Sequence, residues 1–139
     1  MAQSTERLRF GEVEILVKAT AEATGGAFNV FEEHEPVDTP LHVHAHEDEL
    51  FYVLEGEHVF TVGGVEHRAG PGELVFAPRG VPHSQRRVVP RTGRTLVVTA
   101  PGGLDGFFRA LAAADPDGEL GPEVREAVSS RYGITWLEG

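Results

Sequence analysis

From Glu12 to Ala100 the chain is a series of short β-branched and aromatic runs cut apart by Gly and Pro, with few stretches of helical period. Such a pattern folds into sheets. The predicted strands are EVEILVKAT, AFNVFEEHE, LHVHAH, ELFYVLEG, EHVFTV, VEHRA, ELVFAP, HSQRRV and RTLVVTA. These are too many for a small open sheet and suit a sandwich or barrel. Gly63-Gly64 fits a two-residue hairpin whose central residues need positive φ, and Glu55-Gly56 fits the corner before it. If that corner is a two-residue turn, Val53 opposes His58 and Phe51 opposes Phe60.

Beyond Pro101-Gly102-Gly103 the period changes. Leu104, Phe107, Phe108, Leu111 and Ala112 form one apolar helical stripe that stops before Asp115-Pro116. A second helix is predicted from Pro122 to Tyr132, with Gly133 to end it, and Ile134, Trp136 and Leu137 can return over the core. The expected organisation is therefore all-β with two short C-terminal helices. It forms one domain over residues 1–139, the barrel spanning about 10–100 and the helical tail about 104–139. A chain of 139 residues buries about two thirds of its surface, enough for a core without staples.

Composition removes several function classes. There is no Cys, which excludes disulfides, thiolate metal sites and thiol nucleophiles. Twelve basic against 22 acidic side chains give a net charge of −10, which disfavours nucleic acid and anionic membranes as partners. No apolar run reaches membrane-spanning length and MAQSTERLRF lacks a secretory apolar stretch, so a cytoplasmic location is expected. An all-β barrel with an apolar N-terminal strand, EVEILV, and exposed edges predicts pairing into a homodimer.

Chemistry concentrates in the histidines. His42, His44 and His46 alternate in LHVHAHEDELFYVLEG, and on a strand this spacing puts the imidazoles on one face, where two can meet one ion. Glu49 lies at odd separation from all three, so a turn or bulge around Ala45 to Asp48 is needed to bring Glu49, Phe51 and Val53 inward on the next strand. Glu47 and Asp48 are then expected in a solvated loop. His83 in PRGVPHS is a fourth ligand candidate, its approach stiffened by Pro78, Gly80 and Pro82. His34, His58 and His67 carry no ligand spacing and are read as hydrogen-bonded or surface residues. Phe51, Val53, His58, Phe60 and Phe76 are candidates to line a substrate pocket, with core packing as the competing role for the aromatic ones. Arg79, Arg86 and Arg87 fall on alternating faces and are read as solvated charge.

These residues resemble the cupin family, whose motifs are G-x5-H-x-H-x3,4-E-x6-G and G-x5-P-x-G-x2-H-x3-N. The first is matched by His42-Val43-His44, four residues, Glu49, six residues and Gly56; the second by Gly72, five residues, Pro78, Gly80 and His83. Pro36 stands where the leading Gly is expected and Arg87 where the closing Asn is expected. The resemblance implies a double-stranded β-helix (jelly-roll) barrel holding one divalent transition metal (Fe, Mn, Ni, Co, Cu or Zn) through His42, His44, Glu49 and His83. Pairing His44 with His46 instead would leave only two residues before Glu49, shorter than the family spacing, which places His46 at the rim.

Within the family the chain is similar to the small single-domain group related to quercetin 2,3-dioxygenase. That likeness implies a dioxygenase in which an enolic, flavonol-like or other small aromatic substrate binds the metal through oxygen, Glu49 takes its proton, and dioxygen attacks the electron-rich carbon. The same site could serve a non-redox isomerase or cyclase, or a binding protein without turnover. Glu49 argues against the thiol dioxygenases, and the absence of Cys against the disulfide-closed plant oxalate oxidases.

Overall fold

A computed structural model describes residues 5–35, 37–88 and 93–137. In chain order they form β1 (Glu6–Phe10), β2 (Val13–Ala19), β3 (Asn29–His34), β4 (Thr39–His44), β5 (Asp48–Glu55), β6 (His58–Val62), β7 (Val65–Ala69), β8 (Leu74–Ala77), β9 (His83–Arg87) and β10 (Arg94–Ala100). Two helices, α1 (Leu104–Ala114) and α2 (Pro122–Arg131), and a short strand β11 (Ile134–Trp136) follow. The strands make two antiparallel sheets, ordered β1-β2-β3-β10-β5-β8 and β11-β4-β9-β6-β7. This is an all-β jelly roll with two short C-terminal helices. No helix among the described residues is long and apolar enough to cross a membrane.

Alternation along each strand decides which side chains enter the space between the sheets. In β5, Glu49, Phe51 and Val53 are buried while Tyr52 between them is exposed. The β6–β7 hairpin closes with Val62 opposite Val65, and Gly63 and Gly64 adopt φ of 56° and 83°. An L-residue pair would be strained there, so this turn requires its glycines.

The Glu55-Gly56 corner does not form a hairpin. β5 pairs with β10 and β8, whereas β6 pairs with β7 and β9, so the chain switches sheets at this corner. Phe51 and Phe60 still meet, with ring centroids 4.7 Å apart, but across the interior between the sheets. EVEILV lies mostly within β2, which is paired on both sides by β1 and β3. The outer strand is β1, ERLRF, whose alternating charges the strand forecast passed over.

The helical stripe forms as the sequence predicts, and α1 buries Leu104, Phe107 and Leu111. Phe108 adds an aromatic link, stacking on Phe10 at 5.6 Å and meeting Phe31 edge-on at 4.9 Å. Asn29 Oδ1 accepts a hydrogen bond from Gly103 N–H at the start of α1. The tail then returns as β11, an added strand alongside β4, with Ile134 opposite His44 and Trp136 opposite His42. Phe31 is 1% exposed and joins the sheet to this helical cover. Phe31→Ala is expected to cost about 3–5 kcal/mol through lost burial and an unfilled cavity, measured by denaturant unfolding.

Candidate metal centre

The histidines converge because two adjacent strands present the same inward face. On β4 the two-residue spacing turns His42 and His44 inward together, and β9 sets His83 directly beside His42. The ring centroids are 4.4 Å apart for His42 and His83, 5.1 Å for His42 and His44, and 5.4 Å for His44 and His83. Glu49 comes from the opposite sheet. The bend before Asp48 resets the strand face, and Glu49 Oε1 reaches 2.9 Å from His83 Nε2 and 3.4 Å from His44 Nε2. One nitrogen or oxygen from each of the four side chains lies within 4.8 Å of the others, and all four residues are buried.

The outer ring nitrogens fix the orientation of this cluster. His42 Nδ1–H donates to the Pro40 carbonyl at 2.8 Å, and His83 Nδ1–H donates to the Val81 carbonyl at 3.3 Å. His44 Nδ1 faces Glu47 Oε1 at 3.5 Å. A proton held at Nδ1 leaves the Nε2 lone pair free, which is the arrangement of imidazoles that bind a metal through Nε2. Three inward lone pairs around a carboxylate repel one another unless a cation or proton sits among them. The donor set of three imidazoles and one carboxylate suits a divalent transition metal.

Electrostatics follow from this crowding. Burial pushes His42 down to about 4, reinforced by His83 and His44. Burial would lower His44 as well, but Glu49 and Glu47 outweigh it and the group is raised. Burial alone would raise Glu49, yet His44, His83 and His42 hold its carboxyl down at about 2. Glu49 is therefore ionised at neutral pH.

The cluster opens into a cavity of about 250 Å³. Phe10, Phe51, Phe107, Phe108 and Trp136 supply its aromatic walls. Trp136 packs against His42 with ring centroids 4.8 Å apart, is held by its Nε1–H bond to Ser129 Oγ at 2.9 Å, and carries Arg125 4.3 Å above its ring. Of the residues expected to line a pocket, Phe51 does so. Val53, His58 and Phe60 are buried in the interior away from the cavity lining, and His58 Nε2–H donates to the Glu55 carbonyl. Phe76 is a correction. On β8 Val75 and Ala77 turn inward, so Leu74 and Phe76 face outward and Phe76 is 50% exposed.

His46 and His67 are exposed, and His34 pairs with Glu32. Glu47 was expected in solvent but is 7% exposed, drawn in by His44. Asp48 and Arg79 form an ion pair at 3.0 Å instead of standing free. Arg87 lies on β9 with its backbone N–H bonded to Asp38 Oδ1, and Pro36 lies outside the described residues. The sequence reading missed Glu33, Gln85, Trp136 and Arg125 as cavity residues. Only Gln85 carried a local signal, two residues after His83 on the same strand face.

A family model, the cupin domain, matches residues 30–99. The chain belongs to the cupin domain family. It is 29% identical over 127 residues to quercetin 2,3-dioxygenase of Bacillus subtilis, a match that covers 90% of this chain but 37% of that protein. In fold this cupin is similar to KdgF from a Halomonas species, with a TM-score of 0.61 at 17% identity over 75% of this chain and 91% of that one. It is also similar to Pac13, a nucleoside dehydratase, at a TM-score of 0.60 and 14% identity over 76% and 83% of the two chains. The cupin domain of Schizosaccharomyces pombe Cnp3 matches at a TM-score of 0.60, with 18% identity over 76% and 75%. The sequence relative and the buried His/Glu cluster together suggest a metal ion.

Glu33 is another carboxyl in the cavity lining. Burial and the nearby Glu49 push Glu33 up from 4.5 to about 7. A carboxyl raised on folding binds more protons in the native than in the unfolded chain between these values, so stability is lost as pH rises through about 7. In the metal-free protein the loss amounts to roughly 3 kcal/mol. Glu33→Gln is expected to flatten the fall in melting temperature between pH 5 and pH 8, and an unchanged slope would contradict this account.

Proposed function

We propose that His42, His44, Glu49 and His83 hold one divalent transition metal and that this cupin is a metal-dependent dioxygenase acting on an enolic, flavonol-like or other small aromatic substrate. The observation that carries the reading is the convergence of four buried donor side chains, with one ligand atom from each within 4.8 Å of the others and His42 and His83 turned by Nδ1 bonds to backbone carbonyls. The sequence relative supports the reaction class, although this chain spans only about a third of its length. Three neutral imidazoles and one carboxylate would leave a bound divalent ion with a charge of about +1 and room for an anionic oxygen. The metal would supply Lewis acidity and, if redox-active, electron exchange with dioxygen.

The chain's own residues provide the rest. Glu49 lines the cavity beside the three histidines and is the carboxylate that would take the proton of an enolic hydroxyl. The aromatic walls exclude water and give a flat substrate apolar surface to lie against. Glu47 Oε1 lies 3.5 Å from His44 Nδ1 and would steady that ring through its charge. Dimerisation remains part of this proposal, with sedimentation at twice the chain mass as the expected result.

One metal per chain is expected by elemental analysis, with most of it lost in His42→Ala and in His83→Ala. Glu47→Gln should weaken metal binding by roughly ten-fold, because the support of a ligating imidazole is removed. Glu49→Gln should retain more metal than turnover, with a loss of roughly a hundred-fold or more in rate, since an amide oxygen can coordinate but takes no proton. Product formation must stop when oxygen is removed. Turnover under nitrogen would replace the dioxygenase with a non-redox isomerase or cyclase, and binding without turnover would leave a ligand-binding cupin.

A further inference from the structure

The cavity has a second polar layer beyond the histidines. Gln85 follows His83 by two residues on β9, so its side chain enters the same interior about 7 Å further along the strand. Its Nε2 donates to Glu33 Oε2 at 3.2 Å and to Thr39 Oγ1 at 3.4 Å, tying β9 to β3 of the opposite sheet and to β4. Gln85 is only 9% exposed, yet its Oε1 is buried with no hydrogen-bond partner. Leaving a buried carbonyl oxygen unpaired is unfavourable, and it marks this wall as a polar one. Glu33 is half-buried, lines the cavity, and its Oε1 accepts no bond from any described residue.

We propose that Glu33, positioned by Gln85 and Thr39, accepts a hydrogen bond from a hydroxyl at the end of the substrate remote from the metal. This deepens the metal-enzyme reading and rests on it. The two layers define a substrate class: a flat ring system with a coordinating oxygen at one end and a hydrogen-bond donor at the other, the layers being separated by about the 7 Å rise from His83 to Gln85. The lining also carries Glu12, Asp38, Thr39 and Ser84, but Glu33 is the carboxylate held in place by Gln85, two residues along the strand from His83. A ligand lacking the donor would leave Glu33 Oε1 without a partner.

The test uses the full chain loaded with cobalt(II), whose visible absorption reports both metal uptake and ligand entry. Two probes that bind metal through the same group, para-hydroxybenzohydroxamate and para-fluorobenzohydroxamate, differ at the far end only in the donor. The wild-type chain is expected to bind the hydroxy probe roughly ten-fold tighter. Glu33→Met should abolish the preference while leaving cobalt uptake and the fluoro-probe affinity in place, and Gln85→Leu should reduce it. Equal affinity of the wild type for the two probes, or a preference that survives in Glu33→Met, would overturn the inference even with the metal bound. Should Glu33→Met fail to fold, the wild-type comparison stands by itself. Absence of cobalt uptake by the wild type would instead overturn the metal reading, and this inference with it.

Discussion

Glu49 meeting three imidazoles in the interior is the contact around which the rest of the molecule is organised. A carboxylate and three nitrogen donors are costly to bury unless they compensate one another or share a cation. The two sheets supply the compensation jointly: β4 and β9 bring His42, His44 and His83 from one side, and β5 brings Glu49 from the other. The site is therefore also a clasp between the sheets. Its backbone anchors at Pro40 and Val81 make the ring orientation a property of loop geometry, so ligand direction and strand pairing are set together.

The C-terminal segment converts this polar seam into a chamber. Barrel strands alone would leave the cluster open on the side of His42. β11 covers that side by pairing with β4, and α2 holds Trp136 through Ser129 while extending Arg125 across the indole. Phe107 and Phe108 of α1 add the apolar wall opposite. The tail is consequently both structural cover and cavity wall. The packing that stabilises the helices also covers the face of the histidine cluster.

Local periodicity accounts for what was legible from the residues. His42 and His44 could be placed on one face because side chains on a strand alternate whatever the strand packs against. The Gly63-Gly64 turn was readable for the same reason, its φ values being a local demand. Phe76 was misplaced because a four-residue strand between Gly72 and Pro78 has an equally regular pattern in either register. Only its pairing with β5, Leu50 opposite Phe76, decides that both face outward. Glu47 was assigned to solvent because its partner, His44, becomes its neighbour only when the chain bends between them.

The sequence by itself determined the all-β architecture, the two C-terminal helices, and the ligand types with their spacing. Each follows from the steric preferences and alternation of neighbouring residues. Tertiary structure alone decided that the Glu55-Gly56 corner switches sheets, that the tail returns as a strand beside His42, and that Glu33 from β3 faces Gln85 from β9. These contacts join segments far apart in the chain, as Gln85 and Glu33 show at a separation of 52 residues. No local preference specifies such a meeting. It arises when the two sheets close over a shared interior, and the alternation that turned the histidines inward then places every other inward side chain opposite a partner from the facing sheet.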